Sequence, residues 1–148
     1  MTKSLWAVLA ICLLPSLAWA GEPIANPESL EGEITACLQK LTKTSHCTED
    51  VLAPHIVPGS EQLRAVARQI DELLPKWLGQ ERIFAVHPIA ARKTGDIFQA
   101  RTYLLEDSSG SLMLFKYSVL KRLGQWYVFS FNMNSKSEEI VAVLKDRE

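Results

Sequence analysis

The sequence has few residues of the types that build catalytic and metal sites. Its 148 residues include three cysteines, three histidines and seven glycines. They form no C-x-x-C pair, no serine-nucleophile motif, no paired carboxylates on one strand and no phosphate-cradling glycine loop. The sequence therefore favours no motif-defined enzyme class, and we expect neither a metal nor an organic cofactor.

The chain also lacks an excess of either charge. Sixteen Lys and Arg residues stand against 17 Asp and Glu residues, which gives a formal net charge of -1. Binding of nucleic acid or of an anionic lipid surface through electrostatics needs a strongly basic surface. The charge balance therefore predicts no nucleic-acid partner and no membrane-surface partner.

A long hydrophobic run occurs only at the N-terminus. One Lys precedes an apolar run from Leu5 to Leu14, and the small residues Ala18 and Ala20 follow. This is the layout of a secretory signal cleaved after Ala20. The alternative is a retained membrane anchor, but the run is shorter than the roughly 20 apolar residues that a spanning helix needs.

The N-terminal pattern predicts a signal peptide at 1–20 and an exported protein, periplasmic or secreted, with no membrane span after cleavage. Removing 20 of the 148 residues leaves 128, which is the size of one compact domain. No Pro-rich or Gly/Ser-rich tract divides this remainder. We therefore expect a single domain at 21–148.

Two of the three cysteines, Cys37 and Cys47, remain in the predicted mature chain. An isolated pair in an oxidising compartment usually forms a disulfide. The alternatives are a reactive thiol pair and a metal site with His46, but two Cys and one His fall short of four zinc ligands. The sequence predicts a Cys37–Cys47 disulfide.

The spacing of apolar residues changes near Gly79. Before it, helical spacing predicts a helix at about 27–41, a short one at about 45–53, and a third between Ser60 and Gly79 that Pro75 ends or kinks. After it, alternation of apolar and polar residues predicts four strands at 82–93, 97–106, 111–122 and 125–134. Short turns between consecutive strands indicate an antiparallel meander, with Pro88 on an edge strand.

The tail after Ser137 fits a short terminal helix, although its β-branched residues also fit a fifth strand. The helix is favoured because acids come early and bases late. The predicted fold class is α+β, with N-terminal helices packed on a curved four-stranded antiparallel meander and a short C-terminal helix.

This order of elements resembles the cystatin-like α+β folds and, within them, the NTF2-like superfamily. The stretch Gly124-Gln125-Trp126-Tyr127-Val128 is similar to the G-x-W strand start common in small secreted bacterial members. The resemblance implies a conical cavity between helices and sheet. Different members use it for catalysis, ligand capture or protein association, often as dimers.

Turn centres at Ser108–Ser109 and Leu123–Gly124 predict which side chains share a sheet face, with Lys116 opposite both Arg101 and Phe131. One face is predicted to contact a protein partner or a second copy through Arg101, Tyr103, Lys116, Tyr127, Phe129, Phe131 and Met133. The other face is predicted to line a helix-covered pocket whose polar group is Thr102, Tyr117, Ser130 and Asn132.

The function favoured by the sequence is non-enzymatic. We expect binding of a protein partner, or self-association as a homodimer, through one face of the sheet. The first alternative is a carrier of a small apolar ligand in a cavity between helices and sheet. The second is a pocket enzyme of hydrolase or isomerase type, with His87 and Tyr117 as its first candidate residues.

Overall fold

A computed structural model describes residues 21–146. The predicted signal peptide at 1–20 lies outside the described residues. Two short helical turns, Thr48–Leu52 (π) and Ala53–His55 (3₁₀), are together called the 48–55 segment. The other elements, in chain order, are α1 (Pro27–Gln39), α2 (Glu61–Leu78), β1 (Ile83–Thr94), β2 (Phe98–Asp107), β3 (Leu112–Arg122), β4 (Gln125–Asn134) and α3 (Ser137–Lys145).

The four strands form one antiparallel sheet in the order β1-β2-β3-β4. The α+β fold class, the four-stranded meander and the C-terminal helix are therefore confirmed. Pro88 lies in β1, which is an edge strand of this sheet, as predicted. An edge strand tolerates proline because it has no second neighbouring strand that would need the missing N–H as a donor. Among the described residues, no helix is both long and apolar enough to cross a membrane.

Local signals explain where α1 and α2 begin and end. The Asn26 side chain accepts a hydrogen bond from the Glu28 N–H (3.0 Å) and caps α1, whose first residue is Pro27. Helix α2 continues through Pro75 instead of ending there, and Gly79 closes it with a φ of 60°.

The second predicted helix differs from the structure. In place of an α-helix at about 45–53, the chain forms the π turn and 3₁₀ turn of the 48–55 segment. Asp71, on α2, holds the start of this segment. One of its carboxylate oxygens accepts a hydrogen bond from the Thr48 N–H (2.9 Å), and the other accepts one from the Glu49 N–H (2.7 Å). The segment is therefore fixed by a contact 22 or 23 residues away in sequence, which local patterns do not reveal.

The structure contains the predicted disulfide. Cys37 and Cys47 are joined with a Cα–Cα distance of 5.7 Å, linking the end of α1 to the start of the 48–55 segment. In the chain-entropy model, closing a loop of this length stabilises the folded state by about 2 to 3 kcal/mol. The bond and the Asp71 carboxylate together hold the 48–55 segment between α1 and α2.

The main hydrophobic core lies between the helices and one face of the sheet. Its largest fully buried side chains come from both layers and include Ile34, Leu38, Leu74, Tyr103, Leu105, Phe115 and Val128. A smaller core on the opposite face contains Ile89, Leu104, Leu114 and, from α3, Ile140. Both faces of the sheet are thus at least partly covered.

The predicted strand register is wrong by one residue between β2 and β3. Arg101 pairs with Tyr117 and Tyr103 with Phe115, because the turn between Glu106 and Leu112 has an odd number of residues. The Asp107 carboxylate accepts backbone N–H groups within this turn, and Gly110 adopts a positive φ of 86°.

The β3–β4 register follows the prediction only near the turn. Lys121 pairs with Trp126, as a turn centred on Leu123–Gly124 requires. A bulge between Val128 and Ser130 then adds Phe129 to β4, so that Lys116 pairs with Asn132 and not with Phe131. Beyond the bulge every β4 side chain lies on the face opposite to the one predicted.

Residues 21–24 pack on the 48–55 segment and β4. The Glu22 N–H donates to the Pro54 carbonyl (2.9 Å), and the Ile24 N–H donates to the Trp126 carbonyl (2.8 Å). Gly21 is buried so tightly that a Cβ atom there would lie 1.9 Å from the Ile56 carbonyl oxygen. Only glycine fits this position without movement of the backbone.

We expect Gly21→Ala to lower the free energy of unfolding by about 1 to 2 kcal/mol, because the added methyl group forces the backbone away from Ile56. Gly32→Ala is the matched control: Gly32 lies in α1 with no atom within 4 Å of its Cβ position. Its substitution should raise stability by about 0.5 to 1 kcal/mol. Urea denaturation of both variants measures the difference, and equal effects would contradict the packing described.

Candidate functional site

A mostly apolar depression lies where the C-terminal half of α2 passes the ends of β3 and β4. We call it the α2–β4 groove, and its volume is about 570 Å³. Its lining residues are Leu73, Lys76, Trp77, Met113, Met133, Asn134, Ser135 and Lys136.

The periodicities of helix and sheet bring these residues together. Leu73 and Trp77 lie four residues apart and therefore share one side of α2. Met113 lies two residues before Phe115 on β3, and Met133 pairs with Phe115 from β4. Both methionines therefore lie on the helix-facing side of the sheet. The apolar wall of the groove thus comes from one helix and two strands.

Several features of the groove are typical of a binding surface. Leu73 is 49% exposed although it is a large aliphatic residue. The two methionines beyond Met1 both line the groove, and the flexible thioether adapts to ligands of different shape. A pocket with an apolar lining and a few polar groups is the usual form of a small-molecule site.

Two cations lie at the groove. Lys76 comes from α2 and Lys136 from the connection between β4 and α3, and both are exposed. Neither forms an ion pair with any residue of the described range 21–146. The side chains that line the groove include two ammonium groups and no imidazole, thiol or carboxylate.

The predicted interface residues do not form one exposed face. Tyr103 is 1% exposed, and Arg101 and Phe131 are also buried, because the corrected register turns them toward the helices. Met133 lies on the same side and lines the groove. Lys116, Tyr127 and Phe129 keep surface exposure, with Phe129 half-exposed at the bulge of β4.

The predicted pocket residues are also separated by the register. Tyr117 lies on the helix-facing side and is buried, whereas Thr102, Ser130 and Asn132 lie on the opposite face of the sheet. On that face the Ser130 hydroxyl hydrogen-bonds to the Ser118 hydroxyl (2.6 Å). The expected polar group at one end of a helix-covered cavity is therefore not formed.

Tyr117 belongs to a buried polar cluster instead. Its ring stacks on that of Tyr103 with centroids 6.3 Å apart, and Arg101 Nε donates to Glu31 Oε2 on α1 (2.7 Å). Burial raises the pKa of both tyrosines, so their hydroxyls stay protonated. The cluster ties α1 to β2 and β3 within the core.

The predicted enzyme pair is not assembled. His87 is exposed on the edge strand β1, where Nε2 lies 3.0 Å from Glu106 Oε2. His87 pairs with Leu104, which belongs to the core beneath α3, whereas Tyr117 faces α1 and α2. The two residues lie on opposite sides of the sheet and share no site.

Sequence patterns did not reveal the role of Asp71, a residue of α2. Potential ligand atoms of His46, Glu49 and Asp71 lie within 4.8 Å of one another. The Asp71 carboxylate is buried and already accepts two backbone N–H groups, and Glu49 pairs with Arg68 (3.3 Å). Burial raises the pKa of Asp71, and its hydrogen bonds oppose that rise. These contacts explain the cluster as a cap on the 48–55 segment.

We expect Asp71→Ala to lower the free energy of unfolding by about 2 to 3 kcal/mol, because it leaves the N–H groups of Thr48 and Glu49 without acceptors. Asp71→Asn keeps one acceptor oxygen and should cost about half as much. The exposed neighbour Glu72→Ala is the control and should change stability by less than about 0.5 kcal/mol. Added Zn²⁺ tests the alternative of a metal site. If it raises the melting temperature of the wild-type protein but not that of Asp71→Asn, the cluster binds metal.

The Arg101–Glu31 pair gives a second stability prediction. Glu31→Ala should cost about 1 to 3 kcal/mol because it leaves the Arg101 guanidinium, with 9% of its side chain exposed, without its carboxylate. Replacing both residues, as Glu31→Ala with Arg101→Met, should recover most of this loss. Urea denaturation of the two single variants and the double variant completes the cycle, and simple additivity would show that the residues do not interact.

Comparison with known proteins finds a weakly similar structure and no matching family. No protein-family model and no curated protein matches the chain. Among solved structures, the chain is similar to a domain of unknown function with a cystatin-like fold from Nostoc punctiforme, at 13% identity over 80% of each chain and a TM-score of 0.45. The likeness is a weak, topology-level resemblance of the kind expected from the sequence, and it transfers no site residue or activity.

Proposed function

We propose that this chain is an exported, non-enzymatic binding domain that carries a small amphiphile in the α2–β4 groove. The ligand has an aliphatic chain and one carboxylate. The observation that carries the proposal is an apolar groove of about 570 Å³ with two lysines at its border. Neither lysine has an ion-pair partner among residues 21–146.

The apolar wall supports the aliphatic part of the ligand. Leu73, Trp77 and Met133 leave apolar surface open to water, and each methylene group buried there contributes about 0.8 kcal/mol. The groove volume falls within the roughly 300 to 1,000 Å³ typical of small-molecule sites. An aliphatic chain fits such a surface without needing hydrogen-bond partners from it.

The two lysines support the carboxylate. Lys76 and Lys136 present ammonium groups from two different elements, while their aliphatic stems extend the apolar wall. A carboxylate held near both would form charge-assisted hydrogen bonds. A neutral head group would gain less from this pair of charges, and a cationic head group would be repelled by it.

Export rests on the N-terminal pattern and on the cysteines. Residues 1–20 have the layout of a secretory signal, and Cys37 is bonded to Cys47. Such a disulfide persists in an oxidising compartment.

We expect dodecanoate to bind the folded protein, and dodecyltrimethylammonium to bind far more weakly, because only the acid complements the lysines. Lys76→Gln with Lys136→Gln should weaken dodecanoate binding about tenfold. Leu73→Glu should abolish it by placing a carboxylate in the apolar wall. Calorimetric titration below the micellar concentration measures each affinity.

Matched controls come from residues of similar exposure outside the groove. Ile97→Glu substitutes an apolar residue that is 53% exposed, and Lys43→Gln removes an exposed lysine. Both should leave dodecanoate binding unchanged. No binding of dodecanoate, or equal binding of the cationic analogue, would contradict the proposal.

Protein association is the competing outcome. If native mass spectrometry finds a dimer that Phe129→Glu dissociates, and dodecanoate does not bind, the carrier proposal is wrong. The contact predicted from the sequence would then be the better account, with Phe129 as its exposed anchor.

A further inference from the structure

A second depression adjoins the α2–β4 groove beneath α3. We call it the α3 depression, and its volume is about 430 Å³. Its lining residues are Trp77, Gly110, Ser111, Leu112, Ser135, Ser137, Ile140 and Val141. Trp77 and Ser135 line both the groove and the depression, so the two spaces meet at these residues.

We propose that the α3 depression accepts the distal end of a long acyl chain whose carboxylate lies at Lys76 and Lys136. This inference rests on the proposed function and adds to it the length of the ligand and the residues that select that length. Leu112 and Val141 are the selecting residues, and Trp77 forms the wall along which the chain passes from one space to the other.

The charges of the two spaces fix the orientation of the chain. The lining residues of the α3 depression include no lysine, arginine, histidine or carboxylate, whereas the groove has two lysines. An anionic head group is therefore favoured in the groove. The apolar end of the chain is left to extend past Trp77 toward Leu112 and Val141.

Helix α3 presents an apolar residue to this space. Ile140 anchors the helix in the smaller core with Leu104 and Leu114, and it also borders the depression. Val141, the next residue, is 46% exposed and lines the depression from the same helix. An acyl chain lying there would bury the exposed side of Val141.

A series of fatty acids with a constant head group tests the inference. Wild-type protein should bind hexadecanoate at least about tenfold more tightly than dodecanoate, because the added methylene groups become buried in the α3 depression. Val141→Asp should abolish this gain by placing a charge beside the distal chain. Val141→Trp should abolish it by filling the space, without adding charge.

Octanoate and Leu144 provide the controls. Octanoate is too short to gain from the depression, so both Val141 variants should bind it within about twofold of wild type. Leu144→Asp changes a residue of α3 that is 39% exposed and does not line the depression, and the hexadecanoate gain should persist. Urea denaturation establishes that each variant is folded before binding is measured.

The possible outcomes separate the two proposals. If octanoate and dodecanoate bind through Lys76 and Lys136 but the Val141 variants keep the full hexadecanoate gain, the acyl-chain inference is wrong and the proposed function stands. If no fatty acid binds, both are wrong. Loss of the gain in both Val141 variants, with octanoate unaffected, is the result that supports the inference.

Discussion

The packing of α2 on one face of the sheet determines where the residues of the α2–β4 groove lie. Ala67, Ile70, Leu74 and Leu78 face the core, at the three- and four-residue spacing of an amphipathic helix. Leu73 and Trp77 precede buried positions by one residue and therefore fall at the margin of the buried stripe. Because β3 begins and β4 ends at this margin, apolar residues of both layers remain near the surface there and form the α2–β4 groove.

The two faces of the sheet have different roles because each contacts a different set of helices. On the side of α1 and α2, large aromatic residues fill the space, and the Arg101–Glu31 ion pair with Tyr103 and Tyr117 adds a buried polar cluster. On the other side, α3 covers only the aliphatic group around Leu104. Buried side chains pack between the helices and the sheet, and the α2–β4 groove lies beside this core at the C-terminal end of α2.

Most elements and the order of the strands could be predicted from the sequence, whereas the register between the strands could not. Each strand was visible in the alternation of its residues, and its bounds fell within one residue of those observed. Because side chains alternate between the two faces of a strand, one extra residue moves every following side chain to the other face of the sheet. An extra residue occurs twice, in the turn at Asp107 and at the bulge of Phe129. Met133 was the one groove residue included in a predicted site, because groove residues at 73–77, 113 and 133–136 meet only after folding.

The sequence by itself determined the α+β order, the antiparallel meander, the disulfide partners and the edge position of Pro88, because each depends on local periodicity or on a residue type with few alternatives. Only the tertiary structure decided that Asp71 caps the 48–55 segment, that Arg101, Tyr103 and Phe131 are buried, and that two lysines border an apolar groove. These features depend on contacts between residues far apart in the chain. The free energy of such contacts comes from burial and hydrogen bonding between elements, which no local pattern encodes.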